Sequence, residues 1–325
     1  MLTMKKRSHV SISINDYIVR ALVSKGQKLE QPVIYELPLP KGVVQDGAVV
    51  DELTLFEIVK SNVAKWGGKK QNVRLFVPDT SVLLKTFDHP AQLTGKALKE
   101  YVQMEIGQSI HLPFQEPLLD VYDHQEGDGQ AVLFAAPPDE VTKLIGLLLD
   151  CHLQPQVADI RALCNLRLLE HINLLDSHKT YLITDWSINE LSICIYSKGN
   201  VEFLRFQSIE TNLENWQDHM ATEGDVTFTY NGELDDYRAM ITDQVLEIDR
   251  MMNFFKFSLH KGEKSVDEIV VLGDNPLLQS IADFLSENLV TPVKLVDDSV
   301  VSQRFPNCKA KHASLLGLAL KGVNE

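Results

Sequence analysis

Apolar and polar positions repeat along this chain with two periods, near 2 and near 3.6, and the two alternate from segment to segment, which predicts an α/β protein. Residues 10–23 read as a β-hairpin and residues 32–37 as a further strand before a turn at Lys41-Gly42. Residues 53–66 have helical spacing at Leu53, Phe56, Ile58, Val59 and Val63, and stop at Gly67-Gly68, a pair that accepts the left-handed backbone of a helix end. A short strand at 73–77 is closed by Pro78.

A second helix is predicted over 94–110, with Ala97, Leu98, Tyr101, Val102 and Ile106 on one face. Strands at 118–122 and 131–136 flank Gly127-Asp128-Gly129, where Asp-Gly favours a hairpin, and a helix follows at 139–151. Residues 89–157 therefore read as helix, strand, strand, helix, strand: a unit inserted into a larger domain. Beyond a helix at 159–169, strands are expected at 181–183, 191–196 and 201–206. Residues 210–233 are polar and aperiodic, predicting an irregular region. A long helix at 234–259 carries Leu246, Ile248, Met251, Met252, Phe254, Phe255 and Phe257, read as core. Strand 269–272, helix 277–289, strand 293–296 and helix 313–320 complete the pattern.

Composition narrows the function. A chain of 325 residues, 44% hydrophobic, can bury at least two cores. The net charge of -14 argues against nucleic acid as a partner, because phosphate binding needs clustered Lys and Arg. Lys5, Lys6 and Arg7 form a local basic spot, read as a solvated end. No apolar run reaches the roughly 18 to 20 residues that span a bilayer, and a cytoplasmic protein is expected. Cys151, Cys164, Cys194 and Cys308 show no metal-binding spacing and read as reduced, buried thiols; His89, His111, His124 and His152 are scattered in the same way, and no metal site is expected.

Three strand-turn segments carry the candidate chemistry: residues 11–20 (SISINDYIVR), 181–192 (YLITDWSINELS) and 268–277 (EIVVLGDNPL). They resemble the nucleotide-cradling turns of actin-like ATPases. The stretches 37–51 (LPLPKGVVQDGAVVD), 104–114 (MEIGQSIHLPF), 135–138 (AAPP) and 316–322 (LGLALKG), in this order, resemble the PilM family of type IV pilus and competence assembly proteins. The resemblance spans nearly the whole chain. It implies an actin-like (ASKHA), FtsA-related two-lobed fold with an inserted SHS2-type subdomain: 1–88 with 158–178 as the first lobe, 89–157 as the insert, 179–208 with 266–325 as the second lobe, and 209–265 as a reduced fourth subdomain.

Against that resemblance, the nucleotide turns depart from the expected residues. The aspartate and glycine of the first turn are replaced by Ser13 and Asn15, followed by Asp16. The second turn keeps Asp185 but has Trp186 and Ser187 where glycine is usual, and the adenosine turn reads Gly273-Asp274-Asn275-Pro276. The expectation is a degenerate site, with ATP and Mg²⁺ bound weakly or not at all and no ATPase activity. A nucleotide-binding relative, and an FtsA-like filament former with a C-terminal membrane helix, are the alternatives; the chain stops at Lys321-Gly-Val-Asn-Glu325, without such a helix.

The family resemblance also implies a partner: the N-terminal cytoplasmic tail of a PilN-like bitopic membrane protein, held in a groove of the insert. Tyr101, Met104, Glu105, Ile110, Leu112, Pro113 and Phe114 are the groove residues it points to, apolar side chains with a carboxylate that suit a short apolar peptide carrying a basic residue. Contact with the pilus motor ATPase, self-association and recruitment to the cytoplasmic face of the membrane are further implications.

Overall fold

The computed structural model describes residues 8–24, 29, 31–221 and 224–322. The basic spot at Lys5, Lys6 and Arg7 lies outside them. Two five-stranded sheets are built to one plan. In the first, His9–Asn15 pairs antiparallel with Ile18–Ser24, which pairs with Val33–Pro38, while Asn72–Phe76 and Gln154–Asp159 add on the other side in parallel. In the second, Thr180–Trp186 takes the place of the first strand, Glu190–Ser197 and Asn200–Ser208 continue antiparallel, and Glu268–Gly273 and Val293–Leu295 continue in parallel.

Burial on both faces of each sheet explains why these strands are nearly continuous in apolar residues. On the outer face of the first sheet, Val10, Ile12, Val19 and Ala21 meet Leu55 and Val59 of the helix Glu52–Asn62 and Leu144, Leu147 and Leu148 of the helix Asp139–Asp150. Between the two sheets lie the helices Arg161–His171 and Ala313–Ala319, in one cluster with Leu22, Phe76, Ile183 and Val270. Every residue of Ala313–Ala319 is buried. The outer face of the second sheet packs against the helices Leu234–Asn253 and Leu278–Asn288 through Ile241, Val245, Ile248, Ile281 and Leu285.

A separate antiparallel sheet of Leu83–Asp88, Gln130–Ala136 and Leu118–Tyr122 rises between the first sheet's strands. Its Ala131, Leu133 and Ala135 cover Leu98 and Val102 of the helix Gly95–Glu105. Val132 and Phe134 point the other way, into the cluster between the large sheets.

The differences from the sequence reading have local causes. The strand Leu83–Asp88 escaped it because only Phe87 is buried there, leaving little alternation to read. The helix Asp139–Asp150 and the strand Gln154–Asp159 are present as expected, but they pack with the first large sheet rather than with the small one, because Leu144, Leu147 and Leu148 fit beneath it. The helix expected to reach residue 110 ends at Glu105, where Ile106 becomes extended and Gly107 takes φ 81°. The stretch 210–233 holds a hairpin, Trp216–Met220 with Val226–Tyr230, anchored by buried Trp216 and Val226. The long helix changes to a π-helical turn over Phe254–Leu259, with Phe255 buried and Phe254 and Phe257 exposed, so that only part of the expected core set is core. A short helix at Asp298–Arg304 was also missed.

Candidate functional site

The three strand-turn segments meet at the mouth of the space between the two large sheets, and they bond mainly to one another. Ser13 Oγ donates to Asn15 Oδ1 at 3.3 Å, and Asn15 Nδ2 donates to the Tyr17 hydroxyl at 3.4 Å. That hydroxyl donates in turn to Asp274 Oδ1 at 2.7 Å and accepts from the backbone N–H of Ile188 at 3.3 Å. One phenol thus touches all three turns. Burial, followed by the Asp274 charge, pushes its pKa well above the ordinary value, so it remains a donor.

Asp16 is held by the stretch that carried the family resemblance. Asp46 and Gly47 both have positive φ, 52° and 75°, forming the tight turn between the short strands Val44–Gln45 and Ala48–Val49. Their backbone N–H groups donate to the Asp16 carboxylate at 2.8 and 3.1 Å, and Asn189 Nδ2 adds a third bond at 2.8 Å. Asp51 then caps the helix Glu52–Asn62 through Thr54 N. The sequence D-G-A-V-V-D is therefore a turn, a strand and a helix cap, with Asp16 as the anion in the turn.

Asp185 accepts from Asn165 Nδ2 and Ser314 Oγ, both at 2.7 Å, from the two helices between the sheets. Ser187 N donates to the Glu190 carbonyl at 2.9 Å, closing the second turn. In the third, the N–H groups of Asp274 and Asn275 donate to the Trp186 carbonyl at 2.9 and 3.0 Å, and Asn275 Nδ2 donates to the Ser187 carbonyl at 2.8 Å. Gly273 has φ 133°, and a Cβ there would lie 2.1 Å from the Trp186 oxygen.

Arg161, on the helix that follows Gln154–Asp159, donates to Asp79 at 2.6 Å and to Asn15 Oδ1 at 3.2 Å. Burial works against its charge, but Asp79, Asp185 and Glu190 outweigh that and raise its pKa. Glu190 is pushed up to about 8, first by burial, with Arg161 opposing and Asp79, Asp16 and Asp274 reinforcing the shift. A small void of about 40 Å³ adjoins Asp79, Arg161 and Glu190. A larger cleft of about 420 Å³ opens on the far side of the third turn, lined by Arg20, Phe228, Asp274, Asn275, Lys309 and Lys311 among others.

All eight residues singled out for the nucleotide turns, Ser13, Asn15, Asp16, Asp185, Ser187, Gly273, Asp274 and Asn275, are thus gathered in one place. Tyr17, Arg20 and Arg161 were missed. Arg20 was legible in principle: an arginine inside the apolar strand IVRALVS, 4% exposed, requires buried acidic partners.

The residues expected in the partner groove lie at the end of the helix Gly95–Glu105 and in the loop after it. Tyr101, Leu112 and Phe114 lean half-buried on the small core, Met104 is 64% exposed, and Pro113 is exposed. Glu105 accepts from Ser109 Oγ at 2.5 Å and its carbonyl caps the turn back to Ile110. Ile110 is a correction: it is 3% exposed and belongs to the core under the loop, because the Gly107 turn folds it inward.

The four cysteines are buried, and burial raises the thiols of Cys194 and Cys308 to about 12. Among the described residues no group of three or more His, Cys, Asp or Glu side chains is placed to hold a metal ion. No helix there is long and apolar enough to cross a membrane.

The sequence matches the family described as type IV pilus assembly protein PilM over residues 10–322. No curated protein matches it significantly. Among solved structures, a PilM-PilN type IV pilus biogenesis complex superposes with a TM-score of 0.75 at 20% identity, covering 98% of this chain and 99% of that one. MreB5 of Spiroplasma citri bound to ADP gives 0.51 at 11% identity over 98% and 96%, and the same protein bound to AMPPNP gives 0.50 at 10% over 98% and 97%. The two lobes have the actin-like ATPase fold.

Proposed function

The chain belongs to the type IV pilus assembly protein PilM family, and on that premise we propose that it is an actin-like scaffold holding the N-terminal cytoplasmic tail of a PilN-like membrane protein, with no need to turn over ATP. The observation that carries the first part is the match over residues 10–322 together with similarity, over 98% of the chain, to a structure whose description is a PilM-PilN complex. The groove is assigned to Tyr101, Met104, Glu105, Leu112, Pro113 and Phe114. Met104 and Pro113 are exposed apolar surface beside half-buried aromatics, and Glu105 supplies the charge that a basic residue of the tail would meet. Contacts with a pilus motor ATPase, self-association and recruitment to the cytoplasmic face of the membrane belong to the same reading.

The second part is supported by how poorly the turns suit a Mg²⁺-bound nucleotide. Backbone N–H groups at and beside the turns are engaged within the protein: those of Asp274 and Asn275, in the adenosine turn, on the Trp186 carbonyl, and those of Asp46 and Gly47 on Asp16 of the first turn. Asp16 and Asp185 are carboxylates held by neutral donors in that space, and Asp79 and Asp274 already engage Arg161 and Arg20, so those two cations are not free for an ATP polyanion. Fluorescence anisotropy with a labelled tail peptide of the PilN-like partner tests the proposal. Saturable binding that weakens about tenfold or more in Met104→Asp, and that is indifferent to ATP and Mg²⁺, is expected. Binding that requires ATP, or none at all, would sink it.

A further inference from the structure

We infer that the chain's own charges, centred on Glu36 and Asp274, clasp the two lobes and fix the angle between them in place of a nucleotide. The inference rests on the reading that the protein works without nucleotide turnover. Glu36 lies on Val33–Pro38, the edge strand of the first sheet, and both its oxygens are engaged. Oε1 accepts from Arg20 Nε at 2.7 Å and from His312 Nε2 at 3.3 Å. Oε2 accepts from the backbone N–H of Val226, in the second lobe's hairpin, and from Lys311 Nζ, each at 2.6 Å. The histidine tautomer follows from its other nitrogen: Lys309 N donates to Nδ1 at 3.0 Å, so the ring proton is on Nε2.

Arg20 is the bridge. Its Nε is on Glu36 of the first lobe and its Nη1 on Asp274 Oδ2 of the second, while Tyr17 of the first lobe holds Asp274 Oδ1. Lys311 continues to the Val226 carbonyl at 2.6 Å and to Asp225, which also takes Lys309. Three cations, Arg20, Lys309 and Lys311, thus meet three anions, Glu36, Asp225 and Asp274, without a counterion. The side chains of Arg20, Glu36 and Asp274 are 4%, 2% and 7% exposed, so separating the lobes strands buried charges on both sides. Glu36 stays ionised: burial opposes its charge, but His312, Arg20 and Lys311 hold its carboxyl well below the usual range.

Hydrogen exchange on the full chain, with and without millimolar ATP and Mg²⁺, tests this. The wild type should show the same exchange at Val226–Tyr230 and at Asp274 and Asn275 in both conditions. The double variant Glu36→Gln, Asp274→Asn should exchange about tenfold or more faster at those amides, while His9–Asn15 stays protected as a control for folding. If that variant does not fold, Lys311→Met, which removes the donor to Glu36, Asp225 and the Val226 carbonyl, should speed exchange at Val226 while His9–Asn15 stays protected. Slowing of wild-type exchange by ATP, or variants that exchange as the wild type does, would overturn the clasp. Tail-peptide titration of the same samples separates the two ideas: failure to bind the tail with exchange as expected faults the scaffold reading and leaves the clasp standing.

Discussion

The Gly273 α-carbon faces the Trp186 backbone so closely that a Cβ would sit 2.1 Å from the carbonyl oxygen and 2.6 Å from the nitrogen. Parallel pairing of Glu268–Gly273 with Thr180–Trp186 brings these two residues side by side, and the Trp186 oxygen then takes two N–H groups from the following turn. Gly273→Ala would force backbone against backbone at φ 133°. A loss of about 2 to 4 kcal/mol is expected, read as a lower midpoint in urea unfolding. An unchanged midpoint would mean the turn has another conformation available.

Asp16 accepts from Asp46 N, Gly47 N and Asn189 Nδ2. Asp16→Ala leaves the buried Asn189 amide, the half-buried Gly47 N–H and the N–H of exposed Asp46 without their acceptor, with an expected cost of about 2 to 3 kcal/mol. Asp16→Asn retains one acceptor oxygen and should cost less. Equal losses in the two variants would contradict the role given to the paired N–H groups.

Glu190 makes stability depend on pH with a definite sign. Its carboxyl is raised from 4.5 to about 8 by burial, then by Asp79, Asp16 and Asp274 against the pull of Arg161. Between those values the folded protein keeps the proton and the unfolded chain does not, so this contribution is full below pH 4.5 and is lost as pH rises to about 8. His9 acts in a different window: lowered to about 4 by burial and Arg74, it adds stability above 6.5 that fades as pH falls. Glu190→Gln should therefore melt increasingly above the wild type from pH 5 to 8. Parallel curves for the two proteins would refute the shift.

Trp216 ties the first strand of the hairpin to the long helix, in addition to the Glu36 and Lys311 contacts of Val226 in the second. Its ring centroid is 5.0 Å from Tyr230 and 5.8 Å from Tyr237 of the long helix, and Nε1 donates to Thr211 Oγ1 at 3.0 Å. Trp216→Ala should cost about 3 to 5 kcal/mol and release the amides of Trp216–Met220 first in hydrogen exchange. Protection retained in that strand would place the anchor elsewhere.

Much of this architecture was legible where burial is two-sided. The strands around Val10, Ile12, Val19 and Ala21 are apolar because both faces are covered, and their alternation with helices pointed to the lobed α/β fold. The hairpin at 216–230 was not legible, since only Trp216 and Val226 of its two strands are buried and little alternation is left to read. Periodicity likewise identified the helix Asp139–Asp150 but could not say which sheet would take Leu144, Leu147 and Leu148. At the candidate site, turn residues were recognised by their place in the motifs, whereas Tyr17 and Arg20 gain their bridging roles from Asp274, more than 250 positions away.

The helix Ala313–Ala319, with no residue at the surface, wedges between the two sheets and ties them through Ser314 to Asp185 and through the carbonyls of Leu318 and Ala319 to Arg74. Neither sheet has a complete inner wall without it. The lobes should consequently melt as one cooperative unit despite their duplicated plan, with a single transition seen alike by heat and by denaturant, since half of the molecule cannot be lost while the shared wedge remains in place.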